Sequence, residues 1–186
     1  QETLFPELVN NPGEISVWCA ACSTGQEPYS ISICVEELRR RNFNFSKKPV
    51  RILATDISNR VLEQARKGTY EPLALKRGMA DERLNQHFIR QPEGSWEIKP
   101  KIRESVEFRS INLKDNFMTL GKFDVVFCRN VLIYFSSQLQ QQILTNIHRV
   151  LKPGGYLFLG GSETPRGLGE LFEIRYYSPG VVYVKK

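Results

Sequence analysis

The sequence predicts an α/β fold in which helices cover a mostly parallel β-sheet. Short apolar runs alternate along the chain with helical patterns that have one apolar face, which is typical of parallel sheets wrapped by helices. The last two runs, Phe172–Tyr177 and residues 181–184, are joined by Ser178-Pro179-Gly180 and predict a hairpin that ends the sheet with an antiparallel edge. The length of 186 residues fits one domain with a proper core.

The first strand is predicted at residues 15–20, where ISVWCA forms a short apolar run. Gly25 marks the tight turn that follows it. A helix with one apolar face is predicted from Pro28, a residue suited to the first helical turn.

The second strand is predicted at residues 50–55 and ends in Asp56. Asn59 is predicted to cap the next helix, at 60–67, and Gly68 to end it.

The segment 69–103 interrupts the alternation. Runs at 84–91 and 95–101 flank a Pro92-Glu93-Gly94 turn, and the second run alternates apolar and polar residues. We therefore expect a small inserted antiparallel β-subdomain at about 84–103.

The remaining predicted elements resume the alternation. They are a strand at 106–111, a strand at Phe123–Cys128, a helix at 138–151 capped by Ser136, a turn at 153–155 and a strand at 156–159.

The net charge of +6 is compatible with nucleic acid, an anionic membrane surface or an acidic protein as partner. The basic residues are not interleaved with aromatic residues, as base stacking would require, so we expect solvated helix ends and loops and no nucleic-acid partner. No apolar run is long enough to cross a bilayer, and the first residues do not resemble a secretory signal.

Four cysteines raise the question of metal binding or disulfides. Cys19 and Cys22 form a CxxC, but a second CxxC is missing and the chain has two histidines, so we expect no metal site. The residues around the motif do not fit a thioredoxin-like redox site. Cys34 and Cys128 are interpreted as core residues, and the chain as a cytoplasmic protein with reduced thiols.

The turn after the first predicted strand carries neither a dinucleotide GxGxxG nor a phosphate-binding GxxxxGK[ST]. This favours a cofactor without a pyrophosphate. Asp56 ends the second strand, where doubly wound folds hold a ribose through its hydroxyls. An Asp just before a helix is equally typical of a simple cap, so Asp56 alone leaves both interpretations open.

Polar side chains follow the predicted strand ends. Glu27 suits a cationic group such as an α-ammonium, or else simply favours the helix dipole. Asn112 and Asn130 offer amide hydrogen bonds to an adenine edge or an amino-acid moiety, unless they satisfy their own turns. Arg129 follows a buried strand in FDVVFCRNVLIYF, although most arginines are simply solvated.

Several motifs in one order resemble the chemotaxis receptor methyltransferases of the CheR type. They are CAACSTGQEPYS, ILATDIS, INL at 111–113, FCRNVLIYF and LKPGGYLFLGGSE. The resemblance implies a Rossmann-like, seven-stranded sheet that binds S-adenosylmethionine, with S-adenosylhomocysteine as product. It also implies methyl transfer to glutamate carboxylates of bacterial chemoreceptors in signal transduction.

Site residues follow from the same resemblance. It implies that Arg129 and Tyr134 lie beside the transferred methyl group and act as the catalytic residues. It implies cofactor contacts for Thr3, Ala20, Glu27, Asp56, Asn112, Leu113, Asn130 and Val131.

The implied partners are the cytoplasmic domain of a methyl-accepting receptor and, at the β-subdomain, a receptor C-terminal peptide. We expect a monomer without membrane insertion. Relative to the family pattern, Gln26 stands where Glu is more frequent, and we expect that the family's N-terminal helical domain is missing from this sequence. The N-terminal stretch that closes over the cofactor begins at residues 1–5 but lacks its Phe-Arg pair and its helix, so we expect missing residues between Phe5 and Pro6.

Two other functions remain open from the residues. One is methyl transfer to another protein or a small acid, and the other is a non-catalytic module that senses S-adenosylmethionine. Retention of Arg129 and Tyr134 favours catalysis.

Overall fold

The computed structural model describes residues 4–76, 78–177 and 180–186 and contains two β-sheets. In chain order, the strands are β1 (Ile15–Ala20), β2 (Val50–Asp56), β3 (Thr69–Tyr70), β4 (Phe88–Arg90), β5 (Trp96–Ile98), β6 (Val106–Ser110), β7 (Phe123–Cys128), β8 (Leu151–Leu159), β9 (Phe172–Tyr177) and β10 (Gly180–Lys185).

Helices alternate with the strands of the larger sheet. In chain order, they are α1 (Leu4–Leu8), α2 (Gln26–Arg41), α3 (Phe43–Ser46), α4 (Asn59–Lys67), α5 (Pro72–Lys76), α6 (Asp81–His87), α7 (Pro100–Arg103) and α8 (Ser137–Val150), with 3₁₀ turns at Met118–Leu120 and Leu132–Tyr134.

The larger sheet has seven strands in the order β6-β2-β1-β7-β8-β10-β9. The first five are parallel neighbours, and β10 pairs antiparallel with both β8 and β9. The predicted α/β fold, with a mostly parallel sheet and an antiparallel C-terminal pair of strands, is confirmed. Residues 178–179 of the predicted hairpin loop lie outside the described residues.

The central strand β1 is buried along its whole length because both faces of the sheet are covered. Val17 and Cys19 point into one core with Ile33 of α2, whereas Trp18 points into the other core with Ile143 of α8. Alternating side chains of one strand therefore support two separate cores.

The register of β1 places the strand ends at one level. Ala20 pairs with Thr55 of β2 on one side and with Cys128 of β7 on the other. The residues that immediately follow these three strands consequently meet at one edge of the sheet.

The turn predicted at 153–155 is instead an irregularity inside β8. Phe123 pairs with Leu151 and Val125 pairs with Tyr156, so β8 accommodates extra residues, and Gly154 adopts a φ of +70°. The helical cap predicted at Ser136 is confirmed, since its Oγ accepts from the Leu139 amide.

The inserted segment forms a three-stranded antiparallel sheet of order β3-β5-β4, as predicted in type. Within the predicted run at 84–91, residues 88–90 form strand β4 as expected, but residues 84–87 belong to helix α6, which Asp81 and Glu82 begin and whose N-terminal dipole they favour. The other run ends after Ile98, where Pro100 opens helix α7.

Helix α2 ties the small sheet to the main one. Arg83 of α6 binds Glu37 with a Nη2–Oε2 distance of 2.6 Å, and Lys101 of α7 binds Glu36 with a Nζ–Oε1 distance of 2.5 Å. Both acceptors are largely buried on α2, the helix that begins beside the sheet edge described above.

The predicted cap at Asn59 is wrong, since Asn59 is already the first residue of α4 and Ser58 occupies the cap position. The Ser58 side chain makes no capping hydrogen bond, and its amide donates instead to Asp56 Oδ1 at 3.0 Å. Gly68 ends the helix in the left-handed conformation, as predicted.

Helix α1 lies in a stretch where the sequence pattern indicates no helix. Its Phe5 ring packs edge-on against Phe45 at 5.9 Å, and its Glu7 carboxylate accepts from the Tyr156 hydroxyl at 2.6 Å. Within the described ranges, no helix combines the length and apolar character needed to cross a membrane.

We expect Gly68→Ala to destabilise the fold strongly. Gly68 has a φ of +64°, and an added Cβ would overlap the buried Ile98 side chain. Left-handed strain and overpacking together predict a loss of about 3 kcal/mol of unfolding free energy. Gly94→Ala is the control, because Gly94 has a φ of +95° and open space around it, and should cost about 1 kcal/mol. Urea denaturation measures both, and equal losses would contradict the steric argument.

Candidate functional site

A cleft of about 290 Å³ opens where β1, β2, β6 and β7 end. This size is near the lower limit of small-molecule sites, which span about 300–1,000 Å³. The lining residues come from the loops after these strands and are Ala21, Asp56, Ile57, Ile111, Asn112, Leu113, Lys114, Val131 and Phe135. The fold thus gathers four of the residues predicted for cofactor binding: Asp56, Asn112, Leu113 and Val131.

Asp56 accepts hydrogen bonds from two loops, the one after β1 and the one before α4. Its Oδ2 accepts from the Ser23 amide at 2.9 Å, and its Oδ1 accepts from the Ser58 amide at 3.0 Å. A carboxylate offers about four lone-pair positions, so two contacts leave acceptor capacity toward the cleft. Asp56 therefore stabilises the start of α4 and retains the acceptors that ribose hydroxyls require.

The opposite part of the cleft is mainly apolar. Ile57 is 65% exposed although it is a large aliphatic residue, and Leu113 forms a buried wall. Asn112 satisfies its own turn, because its Oδ1 accepts from the Lys114 amide at 3.0 Å. Apolar walls with a carboxylate at one side suit a flat ring joined to a hydroxylated group.

Glu27 and Arg129 form an ion pair beside the sheet edge. The Arg129 Nη1 donates to Glu27 Oε2 at 3.2 Å, joining the start of α2 to the loop after β7. The Glu27 side chain is 23% exposed, whereas that of Arg129 is 48% exposed. The two residues predicted separately for cofactor and acceptor contact each other directly.

Burial raises the pKa of Glu27 above its ordinary value, and attraction to Arg129 partly opposes this shift. A hydrogen bond with the Cys19 thiol also favours the charged carboxylate. Glu27 is thus a desolvated carboxylate supported by neighbouring donors, which suits a second cationic ligand group.

The CxxC cysteines lie under this site as protonated thiols. Burial and the nearby Asp56 carboxylate raise the pKa of Cys22 to about 12, and burial likewise raises the pKa of Cys19. Thiol chemistry needs the thiolate, so neither cysteine is suited to redox exchange at neutral pH.

The loop after β7 is held by Glu163, which lies in the segment following β8. Glu163 Oε1 accepts from the amides of Val131 and Leu132 at 2.9 and 2.8 Å. Its Oε2 accepts from the amides of Asn130 and Gly160 at 2.8 and 2.6 Å. This buried carboxylate therefore compensates for four backbone donors and fixes the loop that carries Arg129 to Tyr134.

A second anchor comes from helix α8. Gln140 Nε2 donates to the carbonyls of Leu132 and Phe135 at 2.9 and 3.0 Å. Asn130, whose amide Glu163 accepts, adopts a φ of +58°, a conformation that is unfavourable for most residues but that Asn tolerates. The loop conformation is imposed by its surroundings.

Tyr134 ends the 3₁₀ turn and is 79% exposed, and the neighbouring Ile133 is 52% exposed. A tyrosine presented to solvent from a doubly anchored loop is positioned to meet an incoming molecule. Its hydroxyl and the Arg129 guanidinium supply hydrogen-bond donors on the same loop.

Some predicted residues are not part of the cleft. Ala20 is buried at the end of β1, and the following residue, Ala21, lines the cleft instead. Asn130 contributes its backbone amide to Glu163. Thr3 lies outside the described residues.

Sequence reasoning missed several residues. Ala21, Ile57, Ile111 and Phe135 line the cleft with apolar side chains that no chemical motif marks, and Lys114 lines it as one of many basic residues in the sequence. Glu163 had a signal, namely an acid directly after the Gly160-Gly161-Ser162 strand end, but nothing in the sequence names its four partners.

Comparison with known families matches residues 2–179 to a family model described as "CheR methyltransferase, SAM binding domain". The chain is 50% identical to a chemotaxis protein methyltransferase, Cher2, from Pseudomonas putida, over 98% of this chain and 67% of that protein. It is 47% identical to chemotaxis protein methyltransferase 1 from Pseudomonas aeruginosa, over 100% of this chain and 69% of that protein.

Among solved structures, the chain resembles a TehB-like SAM-dependent methyltransferase from Corynebacterium glutamicum. The TM-score is 0.55 at 14% identity, and the match covers 98% of this chain and 85% of the other. At this identity the similarity supports the fold alone.

We expect Glu163→Gln to loosen the loop after β7. A carboxamide offers one acceptor oxygen and turns an NH₂ group toward amide donors, so buried amides lose their acceptor at a cost of about 2–4 kcal/mol. Hydrogen exchange at the Val131 and Leu132 amides should accelerate, and the unfolding midpoint should fall. Glu170→Gln makes the same chemical change at an exposed position and should alter neither. Unchanged exchange in Glu163→Gln would show that the clamp does not hold the loop.

Proposed function

Because this chain belongs to the CheR methyltransferase family, we propose that it transfers methyl groups from S-adenosylmethionine to glutamate carboxylates of chemoreceptors. Methyl transfer with this cofactor follows from the family. The identity of the methyl acceptor, a receptor glutamate, is what we propose. It is supported by two hydrogen-bond donors, Arg129 and Tyr134, that lie on one anchored loop beside the cofactor cleft.

The cleft fits the nucleoside part of the cofactor. We assign Asp56 to the ribose hydroxyls, since its carboxylate lines a cleft whose other lining residues are mainly apolar. We assign Asn112, Leu113 and Val131 to the adenine surroundings. When bound, S-adenosylmethionine supplies an electrophilic methyl group on a sulfonium.

The amino-acid part of the cofactor is assigned to Glu27 and Asn130. Glu27 is a partly desolvated carboxylate that already binds one cation, Arg129, through one oxygen. Its other oxygen has acceptor capacity for an α-ammonium. Ala20 and Thr3 complete the assignment that the family resemblance implies.

Transfer to a glutamate needs no general base, because the carboxylate is already ionised at neutral pH. In such a transfer an oxygen of the acceptor would attack the methyl carbon as the carbon–sulfur bond breaks, and the electron pair of that bond would stay on sulfur. A cation and an anion lose charge together, so the products are a neutral ester and a thioether. The protein mainly has to align the reactants and keep water out.

We assign Arg129 to orienting the acceptor carboxylate and Tyr134 to positioning it through its hydroxyl. Charge disappears in the transition state, so a strong ion pair with Arg129 would stabilise the ground state more than the transition state. Sharing Arg129 between Glu27 and the acceptor weakens each contact, which is consistent with an orienting role.

A receptor glutamate as methyl acceptor implies a protein partner. We propose that the chain works as a cytoplasmic monomer on the cytoplasmic domain of a methyl-accepting receptor. We further propose the inserted β-subdomain, at about residues 84–103, as the place where a receptor C-terminal peptide docks.

Incubation with labelled S-adenosylmethionine and a receptor cytoplasmic fragment tests this function. Base-labile label on receptor glutamates is expected, since carboxyl esters hydrolyse in alkali. Label on another protein or a small acid would identify a different acceptor. Cofactor binding without any transfer would indicate the sensing module and contradict the proposal.

Variants separate binding from transfer. We expect Tyr134→Phe to keep its affinity for S-adenosylhomocysteine and to lose roughly tenfold or more in rate, because alignment is impaired. Tyr176→Phe is a matched control, since Tyr176 is also 79% exposed but lies on β9. Calorimetry and initial rates measure both, and equal rates in the two variants would remove Tyr134 from the mechanism.

Asp56→Ala is expected to act mainly by weakening the affinity for S-adenosylhomocysteine. Loss of hydrogen bonds to a charged acceptor predicts roughly 10- to 100-fold weaker binding of S-adenosylhomocysteine. The unfolding midpoint is measured alongside, since Asp56 also binds Ser23 and Ser58. Equal affinity of wild type and Asp56→Ala would overturn the ribose assignment.

A further inference from the structure

The turn that links β1 to α2, residues 21–25, adopts a conformation that needs support from outside. Ala21, Ser23 and Gly25 have φ values of +60°, +49° and +92°. Non-glycine residues adopt this left-handed region rarely, and they keep it where the surrounding structure holds them there. We call residues 21–25 the β1 turn. Its first residue lines the cofactor cleft, and its last residue precedes α2, which carries Glu27.

Hydrogen bonds from β2 and from the small sheet of β3, β4 and β5 hold the β1 turn. The contacts of β2 are the Asp56 carboxylate described above and the Thr55 carbonyl, which accepts from the Cys22 amide at 2.8 Å. The contact of the small sheet comes from Tyr70 of β3, whose hydroxyl donates to the Thr24 carbonyl at 2.8 Å. The inserted sheet thus reaches the turn beside the cofactor cleft directly.

The Tyr70 side chain is fixed by its packing. It is buried, and its ring makes edge contacts with Phe88 of β4 and with Tyr29 of α2, both at centroid distances of 6.4 Å. The turn lies close against it, because a Cβ added to Gly25 would be 3.2 Å from the Tyr70 hydroxyl oxygen. A buried ring between two others gives this hydroxyl a defined position against the β1 turn.

We propose that Tyr70 is a positioning residue for S-adenosylmethionine, and that its hydrogen bond to Thr24 couples the small sheet to the cofactor site. Tyr70 acts through the β1 turn, which it holds in the conformation that presents Ala21 to the cleft and the Ser23 amide to Asp56. A cofactor that prefers this conformation favours the hydrogen bond, and the hydrogen bond favours the cofactor by the same factor.

This inference rests on the assignment of the cleft to the cofactor and is independent of the methyl acceptor. It goes beyond the proposed function, because it gives the small sheet a role in cofactor binding that needs no docked peptide.

The test compares Tyr70→Phe with Tyr29→Phe. Each change removes one hydroxyl from a buried ring, since the Tyr29 hydroxyl donates to the Ala65 carbonyl of α4 at 2.7 Å. Loss of one hydrogen bond predicts roughly three- to tenfold weaker binding of S-adenosylhomocysteine in Tyr70→Phe, whereas Tyr29→Phe should bind it as wild type does. Both variants should lower the unfolding midpoint by similar amounts, so stability alone does not produce this difference. The KM of Tyr70→Phe for S-adenosylmethionine should rise by the same factor as the loss of affinity.

Hydrogen exchange tests the coupling in the opposite direction. Local opening of the small sheet breaks the contact between Tyr70 and Thr24, so saturation with S-adenosylhomocysteine should oppose that opening. In wild type and in Tyr29→Phe, the amides of β3 and β5 should exchange more slowly with the ligand bound. This slowing should be lost in Tyr70→Phe.

Equal affinity of the two variants for S-adenosylhomocysteine would overturn the positioning role, because a loss of stability alone would act on both. Ligand-dependent slowing that persists in Tyr70→Phe would also contradict the inference, since the coupling would then take another route. If cofactor binding depends on Tyr70 but no methyl group reaches a receptor fragment, the proposed acceptor is wrong and the positioning role stands.

Discussion

Four backbone amides converge on the Glu163 carboxylate, and the organisation of the site depends on this contact. Backbone amides in a loop that follows a buried strand need hydrogen-bond acceptors, and each buried amide without one costs about 1–3 kcal/mol of stability. Glu163 supplies acceptors for three consecutive residues of the loop after β7. Because it reaches them from the segment after β8, it also ties that segment to the loop whose Val131 and Phe135 line the cleft.

The parallel sheet provides the other half of the architecture. Its register brings the residues after β1, β2 and β7 to one edge, and this places Asp56 and Val131 in one cleft although they are far apart in sequence. The sheet determines which loops meet, whereas Glu163 and Gln140 determine the shape of one of them. Both constraints act on the backbone, so the side chains of Arg129 and Tyr134 remain exposed.

Most of the fold was predictable from the sequence because strand burial and helical periodicity are local signals. The errors arose where local signals compete: the first four residues of the run at 84–91 belong to helix α6, and the glycine turn at 153–155 became part of β8. Two residues that line the cleft were predicted to lie together: Asp56 because it ends a strand, and Val131 through the family resemblance. Contacts between motifs were not: neither the Glu27–Arg129 pair nor the Glu163 clamp is visible in a single stretch of sequence.

The Glu27–Arg129 ion pair also bears on the desolvation cost of ligand binding. Removing a lone charge from water costs several kcal/mol, but a group that exchanges one opposite charge for another avoids most of that cost. An ammonium that binds the other oxygen of Glu27 and a carboxylate that shares Arg129 would each weaken this ion pair and offset the loss with a new opposite charge. Two ligands of opposite charge would therefore be easier to accommodate together than either one alone.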